Sequence, residues 1–134
     1  MREDIYRCYI FNKEQEDFLR SKRYKIDRME CFLTLVDKVC LRPTQVTLSV
    51  NRQVELLPGQ FLVTDVECSK LWKLDRKTCA KLMKQMIALR LFSAHKEAEV
   101  TVYSMHALSG WFVGGEFVKN PYYKRPKPQQ FQTL

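Results

Sequence analysis

Between Thr64 and Leu89 the chain carries two complete helix signals with only Lys73-Leu74 between them, and this spacing restricts the fold more than any other feature. Thr64 and Glu67 stand at the spacing of a capping box, in which a hydroxyl and a carboxylate each cap a backbone N–H, so a helix is expected over residues 65–72. Asp75 is an N-cap for a second helix running from Arg76 to Leu89. Two helices joined by so short a turn must cross at a steep angle. On the wheel of the second helix Cys79, Leu82, Met83 and Met86 share one face, and Lys77, Lys81, Lys84, Gln85 and Ala88 lie roughly opposite. The first set is expected to pack inward, which leaves the second to meet solvent or a ligand.

The flanking segments extend this pair into an α+β domain. Ile5 to Phe11 is apolar and β-prone, and Lys13 to Arg23 is charged with only Phe18 and Leu19 to bury, which predicts a short strand and a short docking helix. Met29, Phe32, Leu33, Val36, Val39 and Cys40 recur at helical spacing, so a helix is expected over residues 28–39, begun by Asp27 with Glu30 and ended before Pro43. Residues 44–50 alternate, with Val46, Leu48 and Val50 on one side, and a hairpin through Asn51-Arg52 reaches Leu56-Leu57. Pro58-Gly59 then turns into a strand at Phe61-Leu62-Val63. After the second helix, strands are predicted over 91–94 and 100–105 with a tip at Lys96-Glu97-Ala98-Glu99. Gly110 to Gly115 is apolar and turn-rich, and Asn120 to Gln130 reads as a basic tail rich in proline and tyrosine. The expected organisation is a docking segment (1–24), a main domain (25–106) and a C-terminal extension with its tail (107–134). The expected core contains Cys31, Phe32, Val36, Phe61, Trp72, Leu74, Cys79, Leu82 and Met86.

Net charge becomes informative once it is located. The formal +8 is concentrated between Lys70 and Arg90, with seven basic residues against one acidic, and in the tail, where Lys119, Lys124, Arg125 and Lys127 add four more. The remaining segments nearly cancel. A basic stripe confined to one element is the footprint of a polyanion-binding surface, and a solvated helix face gives the same count.

Other chemistries find little support. The five cysteines, Cys8, Cys31, Cys40, Cys68 and Cys79, form no Cys-x-x-Cys pair and predict reduced thiols, with neither a disulfide framework nor a zinc site. His95 and His106 stand alone and read as surface or hairpin residues. Neither a Gly-rich phosphate loop nor a Ser/His/Asp set is present, so the expectation is a non-enzyme without cofactor or metal. No apolar run approaches a membrane span and no secretory signal opens the chain, which predicts a single soluble cytoplasmic domain.

The stretches Leu57-Pro58-Gly59-Gln60-Phe61-Leu62-Val63-Thr64 and Cys68-Ser69-Lys70-Leu71-Trp72-Lys73-Leu74-Asp75-Arg76-Lys77-Thr78-Cys79-Ala80-Lys81-Leu82 resemble the N-terminal winged helix-turn-helix domains of phage and plasmid replisome organisers and replication initiators. Related bacterial transcription regulators share the pattern. The resemblance spans about residues 27–105 and implies a three-helix core with a small antiparallel hairpin wing, in a bacterial or phage protein that binds duplex DNA. Lys73 and Arg90 depart from the pattern, since glycine usually stands there and a left-handed backbone costs another residue on the order of 1 kcal/mol. With the helix over 75–89 in the major groove, Arg76, Lys77 and Lys81 are base or phosphate contacts, Lys84 shares their face, and Thr78 and Gln85 are hydrogen-bonding candidates. Lys70 and Lys73 would reach the phosphate backbone, whereas Glu97 and Glu99 make the wing a poor grip. Such regulators commonly act as dimers, and the tail or the N-terminal segment can supply that contact. The alternatives are a winged helix that docks an acidic partner of a replication or transcription complex, and a tail that stacks single strands on Trp111, Phe112, Tyr122 and Tyr123.

Overall fold

Three of the four helices start where a short polar side chain occupies a free backbone N–H. In the computed structural model, which describes residues 4–23 and 25–126, Asn12 caps α1 (Lys13–Arg20), Asp27 caps α2 (Arg28–Val36) and Thr64 caps α3 (Asp65–Trp72). The fourth, α4 (Arg76–Ala88), starts at Asp75, but the Asp75 carboxylate makes no capping hydrogen bond, contrary to expectation. The turn before it is held by Ser69, whose hydroxyl donates to the Leu74 carbonyl at 2.5 Å. Helix α2 also ends three residues before the expected Val39. Its chain tightens into i→i−3 bonds, with Lys38 N–H donating to Leu35 and Val39 N–H to Val36, both at 3.0 Å.

The strands form antiparallel sheets. Strands β6 (Gln60–Leu62), β7 (Phe92–Glu97) and β8 (Val100–Met105) pair in the order β6-β8-β7. Register places Phe61 opposite Tyr103 and Leu62 opposite Val102, so adjacent residues serve opposite faces. Phe61, Phe92, Tyr103 and Met105 pack toward the helices in the main core, which also holds Cys31, Phe32, Val36, Trp72, Cys79, Leu82 and Met86, with Leu74 at its margin. The expected core is therefore one cluster. Val102 faces the other way, onto a hairpin of β4 (Thr44–Ser49) and β5 (Arg52–Leu56), where Val54 and Leu56 make a second, smaller core. Val50, expected among the apolar residues of that hairpin, sits in its turn and is 98% exposed. Strand β7 runs to Glu97 rather than stopping at Ala94, because the tip is a tight turn with Ala98 and Glu99 both left-handed at φ 50° and 66°.

The largest correction concerns the two ends of the chain. Gly110 to Gly115 is not a turn-rich extension: β9 (Leu108–Val113) and β10 (Glu116–Lys119) form a hairpin, and β1 (Ile5–Tyr9) pairs on the other edge of β9. Leu19, Ala107 and Leu108 belong to the main core, so the described parts of 1–24 and 107–134 share the hydrophobic core of residues 25–106. Two-residue strands β2 (Lys22–Arg23) and β3 (Ile26–Asp27) pair between α1 and α2. Trp111 is 1% exposed, which removes it from any stacking surface. Nor does a tail begin at Asn120. Its fully buried amide donates to the carbonyls of Met105 and Leu108, both at 2.8 Å. Gly59, at φ +95°, makes room for it, since a Cβ there would fall 2.0 Å from the Asn120 Oδ1. Lys127 and the remaining tail residues to Gln130 lie outside the described residues.

Two further polar side chains are buried against expectation. His106 is enclosed rather than on the surface, with Nδ1 2.8 Å from the Tyr122 carbonyl and Nε2 2.8 Å from the Ser93 hydroxyl. Gln15 joins Leu19 as a buried residue of α1, because its amide finds the carbonyl of Leu89. The architecture is thus α+β, with four helices and antiparallel sheets among the described residues. Among the described residues no helix is long and apolar enough to cross a membrane.

Candidate nucleic-acid interface

The α3–α4 pair is held from inside and left open outside. The capping box of α3 is complete, with Glu67 N–H donating to the Thr64 hydroxyl at 3.1 Å and Thr64 N–H to the Glu67 carboxylate at 3.3 Å. Lys38 reaches the same carboxylate at 3.1 Å. Burial raises the Glu67 pKa, but the hydrogen bonds from Lys38 and Thr64 outweigh it and hold the carboxyl below its usual range. The Trp72 indole N–H donates to the Thr34 hydroxyl at 2.7 Å and to the Cys31 carbonyl at 3.1 Å, which ties α3 to α2. Lys73 then reverses the chain in the left-handed region, at φ 55°, and Arg90 does the same beyond α4, at φ 63°. Both positions where the sequence lacked the usual glycine are left-handed.

Helix α4 divides as its wheel implies. Cys79, Leu82, Met83 and Met86 are buried, while Arg76, Lys77, Ala80, Lys81, Lys84 and Ala88 are exposed and Thr78 and Gln85 are half-buried. Lys70 and Lys73 are exposed on the preceding helix and turn. A shallow open concavity follows this face from Lys77 to Ala88. Ion pairs engage Arg7, Lys13, Arg20, Lys22, Lys38 and Arg52, but among the described residues none engages Lys70, Lys73, Arg76, Lys77, Lys81 or Lys84. The first turns also differ. Helices α1, α2 and α3 carry Glu14 and Glu16, Glu30, and Asp65 and Glu67 there, against the positive end of the helix dipole. The first turn of α4 has no acid and instead carries Arg76 and Lys77.

The tip of the β7–β8 hairpin is not a free pair of carboxylates. Arg52, the first residue of β5, donates to the Ala98 carbonyl and lies 3.7 Å from Glu99, and His95 lies 3.4 Å from Glu97. Sequence reasoning missed Arg52 because the contact joins residues 46 apart and no local pattern announces it.

A cleft of about 180 Å³ separates α3 and α4 from β7 and β8, lined among others by Cys68, Cys79, Met83 and Tyr103. Burial pushes the Cys68 thiol up to about 12 and raises Cys79 as well, which disfavours the thiolate form of both. Burial likewise raises the Tyr103 phenol. Among the described residues no group of three or more His, Cys, Asp or Glu side chains is placed to hold a metal ion. The arrangement offers charge and hydrogen-bond donors on a rigid helix rather than an acid–base or nucleophilic set. No family model, curated protein or solved structure matches this chain.

Proposed function

We propose that this chain is a winged helix-turn-helix protein that binds duplex DNA by laying α4 in the major groove, as a transcription regulator or a replication or mobile-element accessory factor. The observation that carries the reading is the set of exposed cations on α4 and its approach, Lys70, Lys73, Arg76, Lys77, Lys81 and Lys84, none of which joins an ion pair among the described residues. The order α2, the β4–β5 hairpin, β6, α3, α4, β7, β8, with β8 between β6 and β7, is compatible with a three-helix core and a hairpin wing. Placing Arg76 and Lys77 at the positive end of α4 costs roughly 0.3 to 1 kcal/mol each at low salt, a cost that a bound phosphate would reverse. The wing contributes little in this reading, because Glu97 and Glu99 at its tip are exposed and repel phosphates.

Affinity for duplexes selected from a random pool, measured over a salt series, tests the proposal. The double change Lys77→Glu and Lys81→Glu removes two phosphate contacts, so the slope of log affinity against log salt should flatten by about 1.8 while binding weakens. Folding stability should move by about 0.5 kcal/mol or less, since both side chains are exposed. Arg76→Ala on selected and scrambled duplexes separates roles: a base contact is worth about 1 to 3 kcal/mol on the selected sequence alone, and a phosphate clamp weakens both equally. If the folded double variant binds DNA with unchanged affinity and slope, or if the native chain binds no duplex at low salt, the face instead docks an acidic protein partner.

A further inference from the structure

The sheet β1-β9-β10 turns one face inward, through Tyr9 and Trp111, and the other outward. On the outward face register aligns Tyr6, Phe112 and Phe117 in one row across three strands, and the Phe112 and Phe117 rings lie 5.1 Å apart. These side chains are 63%, 38% and 48% exposed, a concentration of aromatic surface that the rest of the described molecule does not repeat. The row is held in place rather than loose. Phe117 leans over Gly110, where a Cβ would meet its ring at 2.5 Å.

We propose that this face is a self-association surface, on which a second copy of the chain stacks its own Tyr6, Phe112 and Phe117. Charge selects this occupant. Among the described residues, strand alternation places two charged residues on the outward face: Asp4, whose carbonyl continues the ladder to Gly114, and Lys119, opposite Gly110. They sit at diagonally opposite corners, with Phe112 between them. A two-fold axis lying in the plane of contact and perpendicular to that diagonal brings each Asp4 over the Lys119 of the other copy, so the face is complementary to itself. A nucleic-acid strand would instead need several cations beside the aromatic row, and the outward face offers Lys119 against Asp4. Three strands of this length cover roughly 14 by 17 Å, about 240 Å² per copy, which is smaller than a standard interface and makes the association a weak, transient one. This surface lies on a different sheet from β6-β8-β7, so the inference stands independently of DNA binding by α4.

Sedimentation equilibrium of the full chain without DNA tests it. The native protein should show a monomer–dimer equilibrium. Asp4→Lys and Lys119→Asp should each weaken association by roughly tenfold, since each sets like charges face to face, and combining them should restore it. Tyr6→Lys should leave the chain folded and monomeric. A native chain that stays monomeric at several hundred micromolar overturns the proposal, as does association that none of these changes alters. Absence of rescue in the double charge reversal overturns the two-fold arrangement. Quenching of tyrosine fluorescence by a single-stranded oligonucleotide, lost in Tyr6→Lys while the native chain remains monomeric, would reassign the face to base stacking.

Discussion

The side-chain amide of Gln15 donates to the backbone carbonyl of Leu89 across 2.8 Å, so the first helix of the chain holds the end of α4. The same side chain accepts from Asn12 N–H at 2.9 Å and closes the cap of α1, which is why a polar residue is buried there. Gln15→Ala should cost about 1 to 3 kcal/mol in urea denaturation, the penalty for leaving a buried carbonyl unpaired. Gln15→Glu should cost more at neutral pH and recover in acid. Burial beside a helix C-terminus raises the carboxyl pKa in the folded state, so that variant loses stability as pH rises through the raised value and regains it when protonated. Equal stability of the Ala variant and the native chain would show the contact to be idle.

Lys73 and Arg90 adopt left-handed backbone at φ 55° and 63°. Lys73→Gly and Arg90→Gly should each raise unfolding free energy by about 0.5 to 1 kcal/mol, the net of relieved strain against the extra freedom of glycine in the unfolded chain. Lys73→Gly should at the same time weaken DNA binding in the proposed mode. Stabilisation without loss of binding would remove Lys73 from the interface and leave its structural role intact.

Burial lowers the pKa of His106 below its ordinary 6.5, with Lys124 pushing the same way and the Tyr122 carbonyl partly opposing. The Nδ1–H donates to that carbonyl and the Ser93 hydroxyl donates to Nε2 when the ring is neutral. As pH falls below about 6.5 the unfolded chain takes up the proton first, so folding stability declines until the folded His106 also protonates. Unfolding free energies of the native chain and His106→Gln between pH 7.5 and 5 should therefore converge on acidification. An imidazole titration by NMR with a midpoint above 6.5 would contradict this.

All five cysteines are free, and they divide by burial. Burial pushes Cys31 up to about 11 and Cys68 to about 12 and raises Cys79, whereas Cys8 and Cys40 are half-exposed. An aromatic disulfide reagent at pH 8 should modify Cys8 and Cys40 promptly and the other three only at the rate of opening. Five thiols reacting in one fast phase would refute the packing of α3 against α4.

Local pattern was enough for the α3–α4 pair. Its capping box, its short turn and the division of α4 into an apolar and a cationic face all depend on residues within one or two helical turns, where 3.6-residue periodicity and cap chemistry act directly. Even the left-handed residues at 73 and 90 could be anticipated, since a chain must reverse where a helix ends. The same locality made the exposure of Arg76, Lys77, Lys81 and Lys84 readable, because exposure on a short amphipathic helix follows from what its other face buries.

What the sequence determined by itself, then, was the order of most elements, the main core and the cationic face of α4. Only the tertiary structure decided the fate of the two ends. Strand β1 pairs with β9 about a hundred residues away, and nothing in Gly110-Trp111-Phe112-Val113-Gly114-Gly115 signals that partner, because strand pairing satisfies backbone groups whatever their separation along the chain. Once that pairing forms, Trp111 is turned inward and Tyr6, Phe112 and Phe117 outward, so the aromatic face exists only in the folded molecule. Asn120, His106 and Gln15 follow the same rule. Each is polar and reads locally as surface, and each is buried because the fold brings a backbone carbonyl within hydrogen-bonding reach of its side chain, which offsets the cost of removing it from water.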